Sequence, residues 1–201
     1  MSFMNANCSA SELPKTFAAR RMCCSRFTRV NKSPRGLKAD PETPEGLAKH
    51  LFNFISWSEG DRFYEPFKGK RGAFYKVLPE PKDWAEVSEG RDFFTYEPFD
   101  GLCEHIITNP PYRTYINGKW CDAYIPILER CMRIATKTVA FLTSHKIFNA
   151  LTPNRLEKYH KLGWAITKIH VVSVKKWFGR YYFIVFEKGK NPIISWSVEN
   201  W

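Results

Sequence analysis

Apolar positions recur along this chain in two rhythms. Leu47, Leu51 and Phe54 share one helical face, with Ala48 and Ile55 beside them, so a 3.6-residue period predicts a helix over 43–55. Thr43 suits its cap and Pro44 its first position. Short strands are expected at 62–65 and 84–87. Between them lie a glycine-rich turn at 68–72 and a short helix carrying Phe74 and Leu78. Ile106-Ile107-Thr108 reads as a buried strand that stops at Asn109-Pro110, because consecutive prolines cannot continue a central ladder. A helix over 122–135, a strand over 138–143, a helix over 156–162 and strands over 165–172 and 181–187 follow. The runs Val-Ala-Phe-Leu at 139–142 and Phe-Ile-Val-Phe at 183–186 are apolar at consecutive positions, as strands covered on both faces require. Strands alternating with helices imply an α/β, three-layer sandwich with a mainly parallel sheet and an antiparallel hairpin at one edge. No internal repeat is visible.

Charge changes this picture at one end. The chain has 201 residues and a formal net charge of +11. Residues 1–40 hold eight Lys or Arg against Glu12 and Asp40, without apolar periodicity. They read as a flexible basic arm, and 41–201 as one catalytic domain. Such a balance favours nucleic acid, since Lys and Arg displace counterions from phosphates. No apolar run is long enough for a membrane span, and the N-terminus lacks the apolar stretch of a signal peptide. The six cysteines, Cys8, Cys23, Cys24, Cys103, Cys121 and Cys131, fit neither a zinc pattern nor a small disulfide framework. They are read as reduced thiols of an intracellular protein, in cytoplasm or nucleus, and no metal is expected.

The chemistry concentrates at Asn109-Pro110-Pro111-Tyr112, directly after an apolar strand. Ligands of open α/β sheets bind outside the carboxyl ends of the strands. An exocyclic aromatic amine is a poor nucleophile because its lone pair is delocalised into the ring. The Asn109 side-chain oxygen and the Pro110 carbonyl can both accept hydrogen bonds from such an amine and localise that pair. The prolines stiffen the acceptors, and Tyr112 can stack on the base.

With these residues the chain resembles the S-adenosylmethionine-dependent amino-methyltransferases, particularly the adenine-N6 DNA methyltransferases of phages, viruses and bacteria. The likeness covers about residues 40–190, and 109–112 match the catalytic motif [DNS]-Pro-Pro-[YFW] in full. It implies a Rossmann-like class I methyltransferase fold, S-adenosylmethionine as cofactor and a location that extends to an infected host cell. Glu65-Pro66-Phe67-Lys68-Gly69 and Gly72-Ala73-Phe74 resemble the cofactor loop, with Gly-x-x-Gly in place of the usual Gly-x-Gly. By position, Glu86 would hold the cofactor ribose and Asp92, with Phe93 against the ring, its adenine. Thr43-Pro44 matches a Thr-Pro that contacts the cofactor carboxylate in one circular order of the family, and Asn109 also borders the cofactor.

On the substrate side, a basic-aromatic loop at 113–120, beginning with Arg113, is expected over the active site. Lys146 and the cluster Lys175, Lys176, Trp177, Phe178 and Arg180 supply further contacts, with Trp177 or Phe178 against the other face of an extruded base. There is no room for a separate recognition domain, so specificity falls to these loops, the arm, a homodimer or a partner subunit. Rival readings are an RNA methyltransferase acting on guanine N2 or adenine N6, a glutamine methyltransferase, and a nucleic-acid-binding module that has lost catalysis. The glutamine enzymes carry an Asp-x-Gly-x-Gly loop that is absent here.

Overall fold

The computed structural model describes residues 42–116, 119–175, 177 and 179–198, with the backbone alone for 115, 116, 119 and 120. The basic arm at 1–40, Cys8, Cys23, Cys24, Lys176 and Phe178 lie outside the described residues.

In chain order the elements are α1 (Glu45–Phe52), β1 (Phe63–Glu65), α2 (Ala73–Val77), β2 (Lys82–Trp84), β3 (Cys103–Thr108), β4 (Arg113–Ile116), β5 (Lys119–Asp122), α3 (Tyr124–Ile134), β6 (Ala135–Ser144), α4 (Lys146–Ala150), α5 (Pro153–Lys161), β7 (Trp164–Val172) and β8 (Tyr181–Lys188). Six strands form one sheet in the order β2-β1-β3-β6-β8-β7, and β4 and β5 form a separate ribbon. The first four strands of that order are parallel. β8 runs antiparallel to both β6 and β7, which makes the expected terminal hairpin.

The consecutive apolar runs bury on both faces. Side chains alternate across a strand. Ile106, Val139, Phe141, Ile184 and Phe186 therefore join Ile127, Leu128 and Cys131 of α3, Ile147 of α4 and Tyr159 of α5 in one core. Their neighbours Ile107, Ala140, Leu142, Phe183 and Val185 join Ala48 and Leu51 of α1 and Ala73 and Phe74 of α2 in a second. Helices thus cover both faces of the sheet, giving three layers. Each fully buried Leu, Ile or Phe contributes about 1.5–3 kcal/mol against exposure.

Three expectations need correction. The segment expected as a strand at 84–87 leaves the ladder after Trp84. Glu86 is already the N-cap of a single 3-10 turn, Val87–Glu89, and Val87 is exposed. The expected loop at 113–120 is largely the β4–β5 hairpin, paired from Arg113↔Asp122 to Ile116↔Lys119. Helix α4, unforeseen because its five residues carry no usable period, follows β6 directly.

The parallel strands bring the carboxyl ends of β1, β2, β3 and β6 to one edge. From β1 the chain crosses to β2 on one side, while β3 pairs with β1 on the other, so the strand order reverses at β1. Such a reversal opens a crevice where α/β folds bind ligands.

Candidate active site

Strand β3 delivers the Asn-Pro-Pro-Tyr turn to this crevice. Ile106, Ile107 and Thr108 are fully buried, and Pro110 is buried just beyond them, so the turn is rooted in the core. Asn109 is half-buried, and its Nδ2 donates to Thr43 Oγ1 at 3.2 Å. Thr43 itself is buried. It was expected to cap α1. Instead Pro44 is the N-cap, without a side-chain cap bond, and its carbonyl receives the Ala48 amide at 3.0 Å. The Thr43 hydroxyl is turned toward the motif. Pro111 and Tyr112 are half-buried. The Tyr112 carbonyl accepts from the Ala123 amide at 3.2 Å, and its ring lies 5.9 Å from that of Tyr124, which ties the end of the turn to α3.

The loop after β1 is organised by its two glycines. Gly69 and Gly72 both take left-handed backbone, with φ of +63° and +56°. That conformation costs an L-residue roughly 1–2 kcal/mol. The Gly-x-x-Gly spacing therefore marks the two positions that need glycine, and Arg71 between them faces outward to pair with Glu42 at 2.7 Å. Gly72 is the N-cap of α2 and offers no side-chain acceptor. Glu65 supplies one, its buried carboxyl accepting the Tyr75 amide. Burial pushes the Glu65 pKa well up, against the opposing pull of that amide and of Lys68. Pro66 is buried, and Phe67 packs on Phe93 with ring centroids 4.9 Å apart.

Glu86 meets this loop. One carboxylate oxygen accepts the Gly69 amide at 3.0 Å, and the other accepts the Ser88 amide and hydroxyl at 3.1 and 2.8 Å. The Lys68 amide donates to Ala85 O at 3.1 Å, closing the glycine loop against the segment after β2. Asp92 builds its own turn, with Oδ1 accepting the Phe94 amide at 3.0 Å and its carbonyl accepting those of Thr95 and Tyr96. Phe93 is buried within the core. A Cβ placed on Gly69 would meet nothing within 4 Å, so the backbone there borders open space. The three donors on Glu86 leave about one of its four acceptor positions for a ligand hydroxyl, and Asp92 and the open Cα side of Gly69 lie at the same sheet edge, where a ribose diol and an amino-purine could be held.

Two residues that support this loop escaped the sequence reading. Arg130 of α3 donates from Nε to Phe93 O at 2.8 Å and from Nη2 to Tyr96 O and Glu97 at 3.0 and 2.9 Å. Arg91 bonds Asp83, the Trp84 carbonyl and the Tyr96 hydroxyl through Nη1 and lies over the Trp84 ring. The only signal for Arg130 was a charge three residues after Ile127, on a helical face that is otherwise apolar.

On the substrate side, Arg113 opens β4 and is exposed, and Lys146 is exposed in α4, just past the carboxyl end of β6. Trp177 is buried against Tyr181, ring centroids 4.5 Å apart, and belongs to the core. An aromatic the sequence reading passed over, Phe148, is exposed beside Lys146 and meets Tyr182 edge-on at 5.0 Å. Among the described residues no group of three or more His, Cys, Asp or Glu is arranged to hold a metal ion, and no helix is long and apolar enough to cross a membrane.

No protein-family model and no curated protein matches this chain. Solved structures do. A Listeria monocytogenes protein assigned as a class I S-adenosylmethionine-dependent methyltransferase superposes with a TM-score of 0.55 at 13% identity, covering 77% of this chain and 62% of that one. A protein assigned as a modification subunit of a type I restriction enzyme from Vibrio vulnificus gives 0.55 at 11%, with coverages of 79% and 46%. A type I restriction-modification methyltransferase subunit from Streptococcus thermophilus gives 0.51 at 13%, with 74% and 45%. The chain spans less than two thirds of the length of each. At such identities the likeness is one of fold: this chain has the class I methyltransferase fold.

Proposed function

We propose that this protein transfers a methyl group from S-adenosylmethionine to the N6 amine of adenine in DNA. The observation that carries the reading is the Asn109 amide, held at the carboxyl end of β3 beside the strand-order reversal with its nitrogen bonded to Thr43. A side-chain amide whose nitrogen is engaged has its oxygen left to receive a donor. The Asn109 oxygen and the Pro110 carbonyl accept hydrogen bonds from the substrate amine and draw its lone pair out of the ring. The acceptors are fixed before substrate arrives, which is where preorganised dipoles are most effective. Tyr112 stacks on the base, and Arg113 and Lys146 hold the flanking phosphates. The glycine loop, Glu86 and Asp92 hold the cofactor, with Phe67 and Phe93 packed behind the loops that carry them. S-adenosylmethionine would supply a methyl group made electrophilic by its sulfonium, with a neutral thioether as leaving group, so the protein's own task is orientation.

The net charge of +11 supports a polyanionic substrate. Two similar structures described as parts of restriction-modification systems support nucleic acid further. The test is transfer of labelled methyl to matched DNA and RNA oligonucleotides, read by nucleoside mass spectrometry. N6-methyladenine in DNA is expected. Methylguanine, or methylation of RNA alone, refutes the substrate assignment. Asn109→Ala should lower kcat about a hundredfold to a thousandfold, the size of loss seen when one oxyanion-type contact is removed, and leave cofactor affinity within about threefold.

A further inference from the structure

The Asn109 side chain needs its own restraint, because a free asparagine amide turns about its last torsion and exchanges its oxygen for its nitrogen. With the nitrogen facing the substrate amine, two donors would oppose each other and the polarising acceptor would be lost. In the structure the nitrogen end of the amide meets Thr43, Asn109 Nδ2 lying 3.2 Å from Thr43 Oγ1. Three features make this contact a restraint. Thr43 is only 6% exposed, so water is a poor competitor for its hydroxyl. The residue precedes the N-cap of α1, whose Ala48 and Leu51 are fully buried, so its backbone is anchored by a packed helix. Its hydroxyl lies within hydrogen-bond distance of Asn109 and not at the N-cap, which is Pro44.

We infer that Thr43 is a positioning residue, which orients the Asn109 amide so that its oxygen faces the substrate amine. The inference rests on the proposed reaction and deepens it. Thr43 touches no reacting atom. It acts through Asn109, and the partner it serves by that contact is the substrate amine. A hydroxyl can accept from an amide N–H or donate to an amide oxygen, and only the first arrangement protects an Asn109 amide proton.

The decisive comparison is Thr43→Val, which keeps the shape and removes the hydroxyl, against Thr43→Ser, which keeps the hydroxyl. Thr43→Val should lower kcat about tenfold, the most that one ordinary hydrogen bond is worth, while calorimetric affinity for S-adenosylmethionine stays within twofold. Thr43→Ser should recover kcat to within about threefold. A second readout does not depend on turnover. In nitrogen-15 spectra the Asn109 side-chain amide, assigned by loss in Asn109→Ala, should show one proton that exchanges slowly in wild type and Thr43→Ser and rapidly in Thr43→Val. Unchanged exchange in Thr43→Val overturns the inference whether or not the protein is active. So does a Thr43→Val variant with wild-type kcat, or one whose whole defect is in cofactor affinity. If the wild-type protein shows the protected amide but methylates no nucleic acid, the contact stands and the proposed reaction fails.

Discussion

Replacing Gly72 by alanine tests the architecture of the loop after β1, and the neighbouring Gly69 provides an internal control. Both residues have positive φ, so alanine at either pays the left-handed penalty of roughly 1–2 kcal/mol, less about 0.4–1 kcal/mol from a stiffer unfolded chain. At Gly69 nothing lies within 4 Å of the added carbon, and the net loss should be about 1 kcal/mol or less. At Gly72 the added carbon would lie 3.3 Å from Cγ of Lys68. That stem is not free to swing away, because Lys68 Nζ pairs with Glu89 at 2.9 Å and sits 3.5 Å from the Trp84 ring centroid. Relief of the clash means overpacking strain of roughly 1–3 kcal/mol or partial loss of those contacts. Gly72→Ala should therefore cost about 2 kcal/mol more than Gly69→Ala by urea unfolding at 25 °C, and its midpoint should fall with an unchanged slope. Adding Lys68→Ala removes the opposing carbon, so the double variant should regain the steric share and keep the φ share. Equal losses at the two glycines, or no recovery in the double variant, would refute the reasoning.

Other outcomes follow from the supports around the site. Arg130→Met would leave the part-buried Phe93 and Tyr96 carbonyls without their guanidinium donor, at about 1 kcal/mol for each. Cofactor affinity should fall about tenfold with it; stability lost at unchanged affinity would show that the 92–97 loop does not hold the cofactor. At the opposite end of the sheet, burial acts to raise the Asp61 pKa. Hydrogen bonds from Lys137 at 2.6 Å and the Ser58 amide at 2.9 Å, with His105 at 2.8 Å, outweigh burial and hold it well below the carboxylate range. A depressed folded pKa gives stability that is complete above the unfolded value, near 4, and is lost as pH falls below it toward the folded value. The stability gap between wild type and Asp61→Asn, measured by thermal unfolding, should thus shrink as pH falls below about 4; a gap that stays level from about pH 4 down to about pH 3 contradicts this.

Local pattern was enough to place the helices near 45 and 124, the later part of the helix Pro153–Lys161, the buried strands, and the Asn-Pro-Pro-Tyr turn at a strand's carboxyl end. Those features follow from side-chain period and from proline and glycine backbone limits, which act within a few residues. The same pattern left the 113–120 hairpin unseen and carried β2 too far, because short strands are decided by their partners and not by their own sequence. Tertiary structure alone decided what restrains the site. The Thr43–Asn109 and Arg130–Phe93 contacts join residues 66 and 37 positions apart. Each exists only because parallel pairing sets the carboxyl ends of β1, β2 and β3 along one edge and packs α1 and α3 on opposite faces. The chemistry of the motif is written in four consecutive residues, but the direction in which its asparagine points is a property of the assembled sheet.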